Sequence, residues 1–542
     1  MEVRMKKSQA YIVTILTLAV VLLGILNSQR LYARLDITRN KSYTLSEVSR
    51  NLYKEIPDQV TITYYVSDKL LNMHPVPGEI KDLLYEYAAQ SKGKIRILVK
   101  DPVKAGVTVS VERLGILPQH VQTVEQDQAS VATVYTGIVI EYLDKTEVLP
   151  VVFSIESLEY DLTSRIRALV TDTERQVGVL VADADKSWTS DYQYVDRILQ
   201  QAGYTVRQLL KGEEIPQSLS EIFVFGGAED LDDWDLYRLD YYLRNGGKIL
   251  YAVDGVFVDS RSNLQAKPID DKGLLHMLET YGVRVEKQLV LDKANLTIPY
   301  QSMTMSGLVQ LKLVRYPHWV VVQPQNSNSK HPLTARFGGL DLFWASPLVV
   351  NPPAGVKAEP LFYSTKDAWL MTKDFITNPD MDALFTSEAG NTKGTYTLGT
   401  TLTGVFPSYF SGKPKPEKPG SMEALPDMTK EAKEGRLIVI GDSEFPTTLV
   451  QYTNSNQNLE FLVQAADWLG NDSDILSIRT RLPATGRLNA ISDPAERART
   501  ALIAQIINVI LVPLLVISFG IYLNLRRKSK LHAREARHDV SA

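Results

Sequence analysis

The sequence predicts an α/β protein bounded at both ends by long apolar segments. Three observations carry that reading. From Gln176 onward, short apolar runs alternate with amphipathic stretches, the pattern of strands joined by helices. Before them, residues 36–170 read as strand, helix, strand, a second helical stretch and a hairpin. At either end lies a run without charge, residues 8–29 and 500–525. Each is long enough to cross a bilayer core, which takes about 20 apolar residues.

Composition narrows the chemistry. A chain of 542 residues exceeds a single core, and a prior of roughly 150 residues per domain gives about three. The hydrophobic share of 44% is that of a globular chain. A net charge of −4 supplies no field for nucleic acid. Cysteine is absent, which removes thiol nucleophiles, CxxC redox pairs, cysteine–zinc sites and a lipidated cysteine.

In chain order, Arg4, Lys6 and Lys7 precede the first apolar run, and residues 1–7 are expected to be cytoplasmic. Residues 8–29 read as a retained anchor: the apolar part is longer than a signal core, and no small-x-small cleavage site clearly follows. Residues 36–170 form a first domain. Ser46 reads as a helix N-cap. Residues 59–66 alternate as a strand, 79–90 form a helix and 94–99 a second strand. Strands over about 130–142 and 146–153 meet at a turn on Leu143-Asp144-Lys145. That order is the one found in thioredoxin-like folds.

Residues 173–480 form the larger domain. Strands are expected at 176–182, 205–210, 221–225, 248–253 and 436–440, and helices at 192–202, 232–245 and 458–469. The alternation gives a doubly wound parallel sheet. Residues 281–410 loosen into short strands (284–291, 319–323 and 395–402) among Pro- and Asn-rich loops. Residues 412–435, rich in Pro, Lys and Glu, read as a flexible linker inserted before the last strand.

Ligands in such sheets sit beyond the carboxyl ends of the strands. The residues there are Asp183, Asp185, Gly226, Gly227, Asp254 and Gly255, and then Gly441, Asp442, Ser443 and Glu444. A Gly-Asp-Ser turn at a strand end presents backbone N–H groups, a hydroxyl and a carboxylate together. Each residue also has a plainer role. The glycines fit tight strand–helix packing, and Asp442 and Ser443 fit a turn bonded to its own backbone. Asp230, Asp232 and Asp233 fit helix capping. Neither GxGxxG nor GxxxxGK[ST] occurs, so a nucleotide pocket is not expected. Ser443 lacks the GxSxG elbow. His318 and His331 have no acids at ligand spacing and read as ordinary surface or core histidines. No catalytic residue, metal or cofactor is expected.

Several stretches together resemble a known family: LDITRNKSYTLS, the strand ending in Lys100-Asp101-Pro102, YYLRNGGKILYAVDG, YGVRVEKQLVLD, and VIGDSEF followed by NLEFLVQAADWL. They look like the gliding-motility-type (GldG-like) auxiliary proteins of ABC transporters, over most of the chain and in order. The resemblance implies that 173–480 is similar to class I glutamine amidotransferases without their catalytic cysteine, a domain that binds saccharide or another ligand. It also implies a permease and an ATPase on separate chains, since no Walker motif occurs here. The expected protein is therefore non-enzymatic, with a structural envelope scaffold, a saccharide-binding protein and a hydrolase centred on Asp442 and Ser443 as the rival readings. It is anchored twice in a bacterial inner membrane, by 8–29 and 500–525. Its large domains are extracytoplasmic, where they meet cargo or envelope protein, and residues 526–542 form a basic cytoplasmic tail.

Overall fold

The computed structural model describes residues 45–470 except 126–127, 156–157, 172–174, 217, 260–261, 304–308, 336, 386–391, 418–424, 429–430 and 454–455, together with Ile478, Arg499, Ser518, Ile521 and Tyr522. The expected anchor at 8–29 lies outside the described residues, and so does 500–525 apart from three isolated positions. Among the described residues no helix is long and apolar enough to cross a membrane. Residues 45–478 belong to one compact unit, Met1–Asp36 with Tyr43–Arg481.

The first element is α1 (Glu47–Glu55), capped by Ser46, whose side chain accepts from the Ser49 N–H. Next come β1 (Val60–Val66), α2 (Val76–Gln90) and β2 (Ile95–Lys100). Helix α2 begins ahead of the expected residue 79 because Pro77 sits in its first turn, where a missing N–H leaves nothing unpaired. Strands β3 (Thr136–Tyr142) and β4 (Lys145–Leu149) close the tight turn at Leu143-Asp144, with Leu143 at φ +54°. The sheet runs β2-β1-β3-β4, with β1 and β2 parallel and the rest antiparallel. Helix α3 (Leu158–Thr171) packs on it through Leu158, Leu162 and Ile166.

The expected strand over 130–142 is two strands. Residues Gln128–Val134 pair with Gln119–Glu125 in a separate hairpin. At Tyr135 the chain changes partner: its N–H donates to Ser67 Oγ and its carbonyl accepts from the Ser67 N–H. The last strand stops at Leu149 rather than 153, since Pro150 has no N–H for the ladder.

The larger sheet is built from β5 (Gln176–Val181), β6 (Thr205–Leu209), β7 (Glu221–Phe225), β8 (Lys248–Ala252), β9 (Thr397–Gly404) and β10 (Gly435–Ile440). Strands β6-β5-β7-β8-β10 run in that order, all parallel, and β9 joins antiparallel to β10. Three short antiparallel strands (Val283–Val285, Leu348–Val350 and Val356–Tyr363) extend the β9 side. Alternate residues face opposite ways, as period two requires. Val177, Val179, Phe223 and Phe225 bury with α4 (Gln193–Gln201) and α7 (Gln457–Gly470). Leu180, Ile222, Val224 and Ile249 bury with α5 (Asp233–Arg244) and α6 (Leu274–Tyr281). Both faces are covered, so the sheet is doubly wound.

Residues 281–410 hold more strand than the sequence pattern suggests. Asn295–Met303 pairs with a 14-residue strand, Val309–Val322, of which only the end is legible in the pattern. Its first half exposes Val309, Leu311 and Leu313, against the usual alternation of apolar-in and polar-out. His318 and His331 are both core residues, and burial lowers their pKa to about 3 and about 4.

Candidate functional site

The five parallel strands stand, by position in the chain, in the order second, first, third, fourth, fifth. The direction of winding therefore reverses between β5 and β7, and the crevice of such a sheet opens there, beyond the carboxyl ends. Main-chain bonds carry the ladder past each strand end. The Ala182 N–H donates to Phe225 O, Gly226 N–H to Ala252 O, and Val253 N–H to Ile440 O. These bonds fix Asp183, Gly226-Gly227, Asp254 and Gly441–Glu444 side by side.

Asp183 and Gly227 meet directly: the Gly227 N–H donates to Asp183 Oδ1 at 2.7 Å. Gly226 and Gly227 take φ of +70° and +96°. A Cβ on Gly226 would stand 2.0 Å from Asp183 Oδ1, so the position excludes a side chain on two grounds. Gly441 is equally closed, since a Cβ there would lie 2.1 Å from Ser346 O. Its carbonyl accepts from the Ser346 N–H, and the Ser346 hydroxyl in turn accepts from the Gly255 N–H.

Asp254 binds the opposite loop. It accepts from the Ser443 N–H at 2.8 Å, and Ser443 Oγ donates to its other oxygen. Asp442 is fully buried and accepts from the Phe343 N–H at 2.6 Å and the Glu444 N–H at 2.7 Å. The turn-forming role for Asp442 is thus met by these backbone bonds. Asp232 caps α5, as its position suggests. Asp230 accepts from the Ala184 N–H in the loop after β5. Asp185 is exposed and takes no part.

Sequence reasoning missed the residue that ties these groups together. Lys186 follows Asp183 by three positions, in the connection 182–192 between β5 and α4. Its ammonium lies 3.0 Å from Asp183 Oδ2, 2.8 Å from Glu444 Oε1 and 3.4 Å from Ser443 Oγ. Tyr192 was missed as well. Its ring stacks on Phe225 at 4.9 Å and on Trp188 at 6.3 Å, and its buried hydroxyl has no hydrogen-bond partner among the described residues. The signal for both was weak: a lysine and an aromatic residue in a connection longer than the roughly 2–6 residues of ordinary βα turns.

Two carboxyls thus pair with one ammonium, Asp254 acts on it from close by, and Asp442 lies beside Asp254 and Glu444. Burial opposes the charge on Lys186, but Glu444 and Asp183 outweigh it and hold the amine well above its ordinary range. Burial drives the Asp254 carboxyl up to about 6 against the pull of Lys186 and Ser443. It drives Glu444 up to about 7, again against Lys186. Burial and the neighbouring Asp254 push Asp442 well above the usual carboxylate range. Excess acid in a poorly solvated place is therefore eased by protonation.

Ser443 is fully buried with its proton committed to Asp254, and the amine on its other side, Lys186, is held protonated. Among the described residues no His, Asp or Glu group is placed to hold a metal ion.

A family model for an ABC-type uncharacterized transport system matches residues 174–465, more than half of the chain and every residue of this cluster. The chain belongs to this family of ABC transport system auxiliary proteins. A second model, a domain of unknown function, matches residues 39–141. An uncharacterized protein of Borreliella burgdorferi is 26% identical over 514 residues, covering 93% of this chain and 96% of its own length. Among solved structures, the N-terminal domain of mmIFT52 is 14% identical with a TM-score of 0.32, over 55% of this chain and 98% of its own. A ThuA-like protein from Parabacteroides merdae is 12% identical with a TM-score of 0.29, over 55% and 90%. Likenesses of that size carry no functional weight. For a member of this transport family, the open question is what the buried cluster serves.

Proposed function

We propose that the protein is a non-enzymatic, membrane-anchored auxiliary component of an ABC transport system, of the gliding-motility type. The observation that carries the reading is the family match over 174–465, which spans the whole doubly wound sheet and its cluster. A permease and an ATPase are supplied by separate chains, since this sequence has no Walker motif. The charge-free runs 8–29 and 500–525, with basic residues on their outer sides, favour two anchors and an extracytoplasmic body between them. The sheet order β2-β1-β3-β4 with α3 behind it favours a thioredoxin-like first domain. With no thiol available, such a domain serves as a binding or spacing module. The larger sheet is read as the amidotransferase-like domain, and the full burial of Ser443 supports binding over catalysis.

The test is recovery of partners. Full-length protein, affinity-tagged and extracted in mild detergent, is expected to bring down a polytopic permease and a Walker-containing ATPase. Repeated isolation of the chain without either would overturn the transport role.

A further inference from the structure

Three carboxyls, Asp183, Glu444 and Asp254, act on the one cation, Lys186, and that imbalance bears on what the site takes. Lys186 is not part of the strand ends that build the crevice. It reaches in from the connection 182–192, whose single-turn helix Trp188–Asp191 is capped by Ser187. Its ammonium meets three oxygens: Asp183 Oδ2, Glu444 Oε1 and Ser443 Oγ. Three acceptors match the three N–H donors of a primary ammonium. They do not form the fork-shaped edge that suits a guanidinium.

A second observation concerns a neutral group beside the ion pairs. The Tyr192 hydroxyl is fully buried, has no hydrogen-bond partner among the described residues, and lies within electrostatic range of Lys186, Asp183, Glu444 and Asp254. A buried hydroxyl left unpaired costs about 1–3 kcal/mol, so this cluster holds a hydrogen-bonding group in reserve. Trp188, half-buried, is the outermost ring of the Trp188–Tyr192–Phe225 stack.

We propose that this crevice is a binding site for a ligand bearing a primary ammonium group, and that Lys186 occupies it as the chain's own substitute until the ligand displaces it. The ligand's ammonium takes over the contacts to Asp183, Glu444 and Ser443. The Tyr192 hydroxyl gains a partner among the ligand's polar atoms. The loop carrying Lys186 and Trp188 moves outward as the lysine leaves. Asp442 stays within its turn, where the Phe343 and Glu444 N–H groups hold it.

The assignment stands apart from the transport role: failure to recover a permease would leave it intact, and failure of amine binding would leave the transport role intact. The experiment uses the full-length chain in two forms. In Lys186→Ala, thermal midpoint is followed against methylammonium, with tetramethylammonium and sodium chloride as controls. Methylammonium is expected to restore at least half of the midpoint lost by the substitution, saturably, while the controls restore little. In the wild type, cadaverine is the probe and tryptophan emission the readout. A saturable change is expected, and it should vanish in Trp188→Phe. Equal effects of methylammonium and tetramethylammonium in the variant would overturn the proposal. So would a wild type that does not respond, whether or not the alanine variant folds, because the pocket would then fit Lys186 alone.

Discussion

At the scale of single residues, the site is governed by close approach and by charge. Gly226 shows the first. Its φ is +70°, and a Cβ added there would stand only 2.0 Å from Asp183, so Gly226→Ala must both strain the backbone and push the carboxylate off the Gly227 N–H. A loss on the order of 2 kcal/mol is expected in urea unfolding. Glu444 shows the second. Its folded pKa of about 7 lies above the ordinary 4.5, so its stabilising contribution is complete below about 4.5 and is lost as pH rises through 7. Asp254, at about 6 against 3.8, acts in the same direction over a lower window. His318 and His331 act oppositely, since their lowered values give stability above 6.5 that falls away in acid. The Glu444→Gln variant leaves both histidines alone. Denaturation between pH 5 and 8 should therefore give the variant a flatter decline than the wild type, and equal slopes would remove Glu444 from the account.

At the scale of elements, the question is what holds the loop after β10 against the rest of the domain. Asn458, in the first turn of α7, is buried and bonds three ways. Its Oδ1 accepts from the Asp341 N–H at 2.8 Å, and its Nδ2 donates to Asp341 O and Phe445 O, both at 2.7 Å. It joins the strand Leu340–Phe343 to the Gly441–Phe445 turn, beside the Asp442 bond to Phe343. Replacing Asn458 with Ala removes all three of these bonds from the core. An expected cost of about 2–3 kcal/mol should appear in the denaturation midpoint, with faster amide exchange over residues 441–445. Neither bond partner was legible in the sequence. A run such as RLIVI announces a buried strand through local composition, whereas Asp341 and Asn458 lie far apart in the chain and meet only because the sheet brings their elements together.

At the scale of the whole molecule, Arg165 links the first sheet to the larger domain. Its guanidinium pairs with Glu147 on β4 at 2.7 Å and donates to Ala202 O after α4 at 3.0 Å. The arginine side chain is 7% exposed, so Arg165→Ala takes the cation away from Glu147 in a confined place, at about 3 kcal/mol. Unfolding by urea is expected to shift accordingly, and an unchanged midpoint would mean that the two parts hold together by other contacts. A cytosol-specific fluorescent tag on either terminus tests the expected topology, and both tags are expected to fluoresce. What the sequence alone determined was the local part: the alternation of strands and helices, the parallel and buried character of 176–181 and 221–225, and the glycines and acids at strand ends. Those properties follow from periodicity and side-chain chemistry over a few neighbouring residues. Only the tertiary structure decided the strand order, with its reversal between β5 and β7. It also turned Lys186 and Tyr192 inward and set Asp254 against Ser443. Those outcomes depend on which distant segments share a boundary, and burial then fixes how much charge that boundary holds.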